Sequence, residues 1–179
     1  MTDETLLVGR HRDFEARFAS GDLAIPPRLS TVILTCVDAR VDPAHLFSLE
    51  LGDALVIRNT GGRVTPGVVN DLAILSVLSA GWPGDNKLQL AVIQHTGCGM
   101  ARLLQPDTQQ QVAARLGLTA AEVAAMAISD PAVSVRQDIE RLRSTPAVSD
   151  ELVVSGFVYS VTDGSLTQVV PAGPLRMPT

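Results

Sequence analysis

Three short runs of aliphatic and β-branched residues constrain this chain most: STVILTCV at 30–37, ALVIRN at 54–59 and LQLAVIQH at 88–95. Each is bounded by turn residues and is continuously apolar, the pattern of strands buried on both faces in a parallel sheet. Between the second and third lies TPGVVNDLAILSVLSAG. Thr65 is placed to cap a helix there, with Pro66 at its first position, Val68, Val69, Leu72, Leu75 and Ser76 along one face, and Gly81 beyond its end. Strand, crossover helix and strand form the right-handed unit of an open α/β sheet, whose ligand sites lie outside the carboxyl ends of the strands. The expected fold is therefore α/β, a central and mostly parallel sheet flanked by helices.

The flanking segments fit one domain over residues 1–179. Leu7, His11, Phe14 and Phe18 are at helical spacing, Gly21 is a stop, and the IPP at 25–27 forces an extended connection. Residues 1–24 thus read as an N-terminal helical arm. Downstream, TAAE at 119–122 is a capping box and DPAVSVRQDIERLR at 130–143 a capped amphipathic helix. ELVVSGFVYSV, the turn TDGS and LTQVV then close the chain as a hairpin, and the Pro-rich residues 172–179 are expected to be a loose tail.

A hydrophobic content of 46% in 179 residues is ample for one core. The net charge of −5 and the absence of a basic block exclude a nucleic-acid or anionic-membrane footprint. No apolar stretch reaches the roughly 20 residues that span a bilayer, and the start lacks the order of a signal peptide, so a cytoplasmic location is expected. In that compartment two cysteines far apart in sequence suggest thiols, a metal site or a redox pair rather than a structural disulfide.

Both cysteines fall at expected strand ends. Cys36 opens C-V-D-A-R, and Cys98 closes H-T-G-C, three residues after His95. If the two strands are neighbours, Cys36, His95 and Cys98 converge. Two thiolates and an imidazole suit zinc, and three protein ligands with one open position mark a catalytic arrangement rather than a structural one. A zinc ion neutralised by two thiolates needs help in activating water. Asp38 would supply a carboxylate that orients the nucleophile, and Arg40 would keep that carboxylate ionised by two-pronged pairing. Alternate spacing in an extended segment is expected to bring Cys36, Asp38 and Arg40 to one side. Alone, each residue has an ordinary reading, a small buried hydrophobe or a surface ion pair; the joint pattern favours function. His11 and His45 have no partner at ligand spacing and are assigned to helix surfaces. Trp82 is given no role.

C-V-D-A-R, GDALVIRNTGGRV and H-T-G-C-G-M together resemble the β-class carbonic anhydrases, most closely in style the short, cab-type branch, over roughly residues 30–100. The resemblance implies zinc on Cys36, His95 and Cys98, with Asp38 and Arg40 as the orienting dyad. It also implies Gly61 and Gly62 bringing backbone N–H groups to the substrate, and weaker contributions from Asn59 and Thr60. The implied reaction is hydration of carbon dioxide to bicarbonate by a zinc-bound hydroxide. Hydrolysis of carbonyl sulfide or carbon disulfide at the same zinc is the alternative, and a non-catalytic zinc-binding protein a third reading. A homodimer or homotetramer is implied, with active sites near the subunit interface. Two departures are Gly97, where close relatives commonly have aspartate, and the scarcity of aromatics, which leaves the aromatic wall of plant-like members without a counterpart.

Overall fold

The computed structural model describes residues 3–19, 21–83 and 87–176. Five strands form one sheet: β1 (Thr31–Cys36), β2 (Ala54–Asn59), β3 (Gln89–His95), β4 (Val153–Tyr159) and β5 (Leu166–Pro174). Their spatial order is β2-β1-β3-β4-β5; the first four run parallel and β5 returns antiparallel to β4. β1 is therefore central to the site-bearing half, with β2 on one side and β3 on the other. Thr35, fully buried, donates its hydroxyl to the carbonyl of Ile93 at 2.9 Å, a side-chain link that adds to the β1–β3 ladder.

The helices are α1 (Asp3–Glu15), α2 (Pro43–Leu46), α3 (Pro66–Ser79), α4 (Pro106–Leu116), α5 (Ala120–Ala125) and α6 (Pro131–Arg143), with a 3₁₀ turn at Gly99–Leu104. α3 begins as its sequence dictates: Thr65 accepts the Val68 N–H, and Pro66 occupies a first-turn position where no N–H is needed. Asp130 caps α6 by accepting from Ala132 and Val133, and the capping box of Thr119 and Glu122 is closed in both directions. One cluster joins the layers: Val32, Leu34, Leu90, Val92 and Val154 of the sheet meet Val68 and Leu72 of α3 and Val135, Ile139 and Leu142 of α6. Each such burial contributes about 1.5–3 kcal/mol, so the strand ends that carry the site rest on a firm base.

Both ends of the chain refine the sequence expectation. α1 buries none of its residues; Leu7, Phe14 and Phe18 are exposed, and the Phe14 ring packs on Phe18 at 5.5 Å and on His11 at 6.1 Å, both within the arm. The expected loose tail is corrected through residue 176. Ala172 to Pro174 belong to β5, Leu175 is 1% exposed, and the Arg176 guanidinium donates to the carbonyls of Arg143 and Val148 and pairs with Asp150. An apolar residue followed by an arginine that reaches the carboxyl end of α6 outweighs the proline content. Residues 177–179 of that tail lie outside the described residues.

Candidate metal centre

Parallel pairing of Thr35 with Ile93 brings the carboxyl ends of β1 and β3 side by side. Cys36 ends β1 and His95 ends β3, while Cys98 follows a turn in which Gly97 takes a φ of 63°. The three ligand atoms lie within 4.8 Å of one another, and all three residues are buried. The sulfurs are 4.0 Å apart. Two thiolates on a tetrahedral zinc with Zn–S near 2.3 Å would sit about 3.8 Å apart, so the spacing fits. His95 directs Nδ1 to the Thr96 carbonyl at 2.9 Å, which leaves Nε2 as the lone pair facing the sulfurs. That buried nitrogen has no hydrogen-bond partner among the described residues. A buried imidazole nitrogen without a partner beside two thiols is the donor set a zinc ion would satisfy.

Electrostatics follow the same plan. Burial pushes the Cys98 thiol up and the His95 imidazole down, each towards its neutral form in the metal-free chain. Asp38 behaves oppositely. Arg40 donates Nε to its Oδ1 at 2.9 Å, Nη2 to its Oδ2 at 2.7 Å and its backbone N–H to Oδ1 at 3.0 Å. These bonds hold the carboxyl well below the usual carboxylate range. Its Oδ2 is 3.9 Å from His95 Nε2, and Arg40 also donates to the Gly97 carbonyl at 3.0 Å, tying the dyad to the turn before Cys98.

The route to this dyad differs from strand alternation. β1 ends at Cys36, and the Val41 N–H returns to the Asp38 carbonyl at 3.0 Å. Asp38 and Arg40 meet across a turn, in which the aspartate accepts the N–H two residues on. Arg58 braces the turn from β2, donating to the carbonyls of Cys36 and Asp38 at 3.1 and 2.8 Å.

In the 59–64 loop the Gly61 and Gly62 backbone amides have partners within the chain. The Gly61 N–H donates to Cys36 Sγ at 3.3 Å, and the Gly62 N–H to the Asn59 carbonyl at 3.2 Å, so both amides expected to face a substrate are engaged elsewhere. The Asn59 amide clips the loop, donating to the Arg63 carbonyl and accepting its N–H, both at 2.8 Å. Thr60 is exposed. Gly62 has a φ of 62°, and a Cβ there would lie 2.8 Å from the backbone of Thr35 and Cys36. Only glycine lets this loop lie flat on β1.

Sequence reasoning placed no wall beside the metal site. Ile128, between α5 and α6, packs with Cys36 and Cys98, and Met100 lies against them. Met100 ends the H-T-G-C-G-M stretch, but Ile128 carries no motif, and only the tertiary path of the segment after α5 brings it there. His11 and His45 are on exposed helix surfaces as expected.

Fold and site together define an open α/β protein with a thiol, imidazole and thiol cluster beside a carboxylate–guanidinium dyad at adjacent strand ends. The carbonic anhydrase family pattern matches residues 31–166, and the chain belongs to the β-carbonic anhydrase family. It is 30% identical to β-carbonic anhydrase 1 of Mycobacterium tuberculosis over 171 residues, 96% of this chain and 99% of the relative. It is 23% identical to the carbon disulfide hydrolase of an Acidianus strain, across 85% of this chain and 81% of that protein. Among solved structures, the carbonic anhydrase from Streptococcus mutans superposes with a TM-score of 0.78 at 27% identity, covering 94% of this chain and 98% of that one. No helix among the described residues is long and apolar enough to cross a membrane.

Proposed function

We propose that this protein is a zinc enzyme that hydrates carbon dioxide to bicarbonate, with Cys36, His95 and Cys98 holding the metal. The observation that carries the reading is the juxtaposition of that ligand set with an Asp38 carboxylate already paired to Arg40. Zinc bound there would supply a Lewis acid that makes water nucleophilic near neutral pH. Asp38, ionised and held in place by Arg40, accepts a proton bond from the attacking water and aims its lone pair at the carbon. Because both Asp38 oxygens are engaged by Arg40, the carboxylate is held away from the thiol–imidazole cluster and would leave a zinc bound there open to water. Ile128 and Met100 give the linear, apolar substrate a surface that does not compete for hydrogen bonds.

That apolar wall also favours a second reading, hydrolysis of carbonyl sulfide or carbon disulfide, in which the wall would accept the softer sulfur end. Stopped-flow hydration of carbon dioxide and hydrolysis of both sulfur gases, measured side by side on one zinc-loaded sample, separate the two. Asp38→Asn should keep its zinc and lose most turnover, because an amide is not a charged acceptor. Unchanged kinetics in that variant would overturn the role given to Asp38, and stoichiometric zinc without turnover of any of the three gases would overturn the enzyme reading.

We assign the exposed stripe of α1 to a second copy of the chain, in a homodimer or a pair of such dimers. Leu7, Phe14 and Phe18 project from an arm that buries nothing against its own core.

A further inference from the structure

The loop from Thr60 to Val64 carries the amide that touches Cys36, yet it lies between β2 and α3 without a ladder of its own. Besides the Asn59 clip, what holds it is Asp138 of α6, which is fully buried and takes no part in the chemistry proposed above. Its Oδ2 accepts Arg63 Nε at 2.8 Å, the Val64 N–H at 3.1 Å and Gln94 Nε2 at 3.2 Å. Its Oδ1 accepts Arg63 Nη2 at 3.1 Å and Arg141 Nη1 at 2.8 Å. Arg141 also donates to the Val64 carbonyl at 2.9 Å, and Arg63 to the Met126 carbonyl at 3.3 Å. One carboxylate thus grips the loop by a side chain and a backbone amide. It grips β3 through Gln94, the residue before His95.

Stability is a poor explanation for this arrangement. Apolar residues of similar volume commonly do as well as a buried ion pair, whereas removal of one partner is strongly destabilising. Geometry is a better one. Arg63 and Val64 follow Gly61 by two and three residues, so the grip of Asp138 on the Arg63 guanidinium and the Val64 N–H anchors the chain just beyond the amide that meets Cys36 Sγ.

We propose that Asp138 is a positioning residue for the metal centre: by holding Arg63 and Val64 against Gln94, it fixes the Gly61 N–H on Cys36 Sγ relative to His95. An N–H donated to a thiolate draws electron density from sulfur and keeps a bound metal more electrophilic. The inference rests on the reading of this centre as a metal site, and its test includes a measurement that needs no turnover.

The experiment uses the full chain as wild type, as Asp138→Asn, and as the paired exchange Arg63→Met with Asp138→Leu. Each is loaded with cobalt(II), and the thiolate-to-cobalt absorption band, the melting temperature and the turnover of the zinc form are recorded. The paired exchange removes the Arg63 and Asp138 charges together but leaves the Val64 N–H, Gln94 and Arg141 without their acceptor, so it should melt below wild type while its band shifts and its kcat/KM falls about tenfold or more. A purely structural Asp138 would give a paired exchange of lowered stability with wild-type band and turnover, and an unshifted band with unchanged turnover overturns the proposal. A folded Asp138→Asn with an unshifted band overturns it as well. If the paired exchange does not fold, Arg63→Lys, which keeps the charge balance and loses the two-pronged grip, is read by the same band, with a shift supporting the proposal and its absence refuting it. A wild type that binds cobalt but turns over no substrate counts against the catalytic reading alone, and the band still decides the part played by Asp138. A wild type that takes up no cobalt overturns both.

Discussion

Replacing Gly62 by alanine tests the loop against the strand it lies on. At φ 62° an added Cβ would stand 2.8 Å from Cys36 N and from the Thr35 carbonyl carbon, both backbone atoms. The loop must retreat by about 0.6 Å to reach ordinary contact at 3.4 Å. A non-glycine residue in the left-handed region costs about 1–2 kcal/mol. Overpacking against an unyielding wall adds about 1–3 kcal/mol. Retreat also stretches the 3.3 Å bond from Gly61 N–H to Cys36 Sγ. The sum is a loss of about 2–5 kcal/mol, or about 4–20 °C in melting temperature for a domain of this size. Gly164→Ala is the control, because its φ is 76° but a Cβ there meets nothing within 4 Å. It should lose only the conformational part. Urea unfolding at one fixed protein concentration measures both, since association would otherwise shift the midpoints. Equal losses in the two variants would show that Gly62 is needed for its dihedral angle alone and that the loop is not pressed on β1.

Other outcomes follow from the same geometry. His95→Ala and Cys36→Ser should each lose most of the zinc by elemental analysis, since each removes one of three protein ligands; near-full occupancy would place the metal elsewhere. Apparent zinc affinity should rise with pH between 6 and 8. Burial keeps Cys98 protonated in the metal-free chain, so that proton must leave on binding, and its release alone gives about a tenfold gain in affinity per pH unit. A flat profile in a competing-chelator titration would contradict this sign. Deleting residues 1–24 should weaken self-association in sedimentation across a dilution series, and an unchanged profile would remove α1 from the interface.

Much of the architecture was legible because local signals agreed with the global fold. The runs at 30–37, 54–59 and 88–95 became β1, β2 and β3 within a residue or two at either end, and Thr65 with Pro66 fixed the start of α3. The cluster of Cys36, His95 and Cys98 was legible because its residues sit at or just beyond strand ends, where a parallel sheet leaves one way to bring them together. Two things were hidden for one reason. Asp138 reads as the polar face of an amphipathic helix, and the partners that make its burial tolerable include Arg63, Val64 and Gln94, which lie 44 to 75 residues earlier. Ile128 reads as loop, and the thiols it covers lie on other segments. α4 gave little signal because Ala113 is its only buried residue. The dyad was legible in its residues but not in its means, since a turn, rather than alternation, joins Asp38 to Arg40.

The placement of β3 directly beside β1, with β2 on the outer side, has a consequence for the order of events as the chain folds. Cys36 and Cys98 are 62 residues apart, so the ligand cluster cannot exist until that long loop has closed and the β1–β3 register is set. Closure of this kind is slow compared with helix formation, because its entropy is spent before any contact rewards it. A nascent or partly folded chain would offer a metal no more than the local His95–Cys98 pair. Metal uptake during refolding should therefore report completion of the central sheet, lagging the appearance of helical signal.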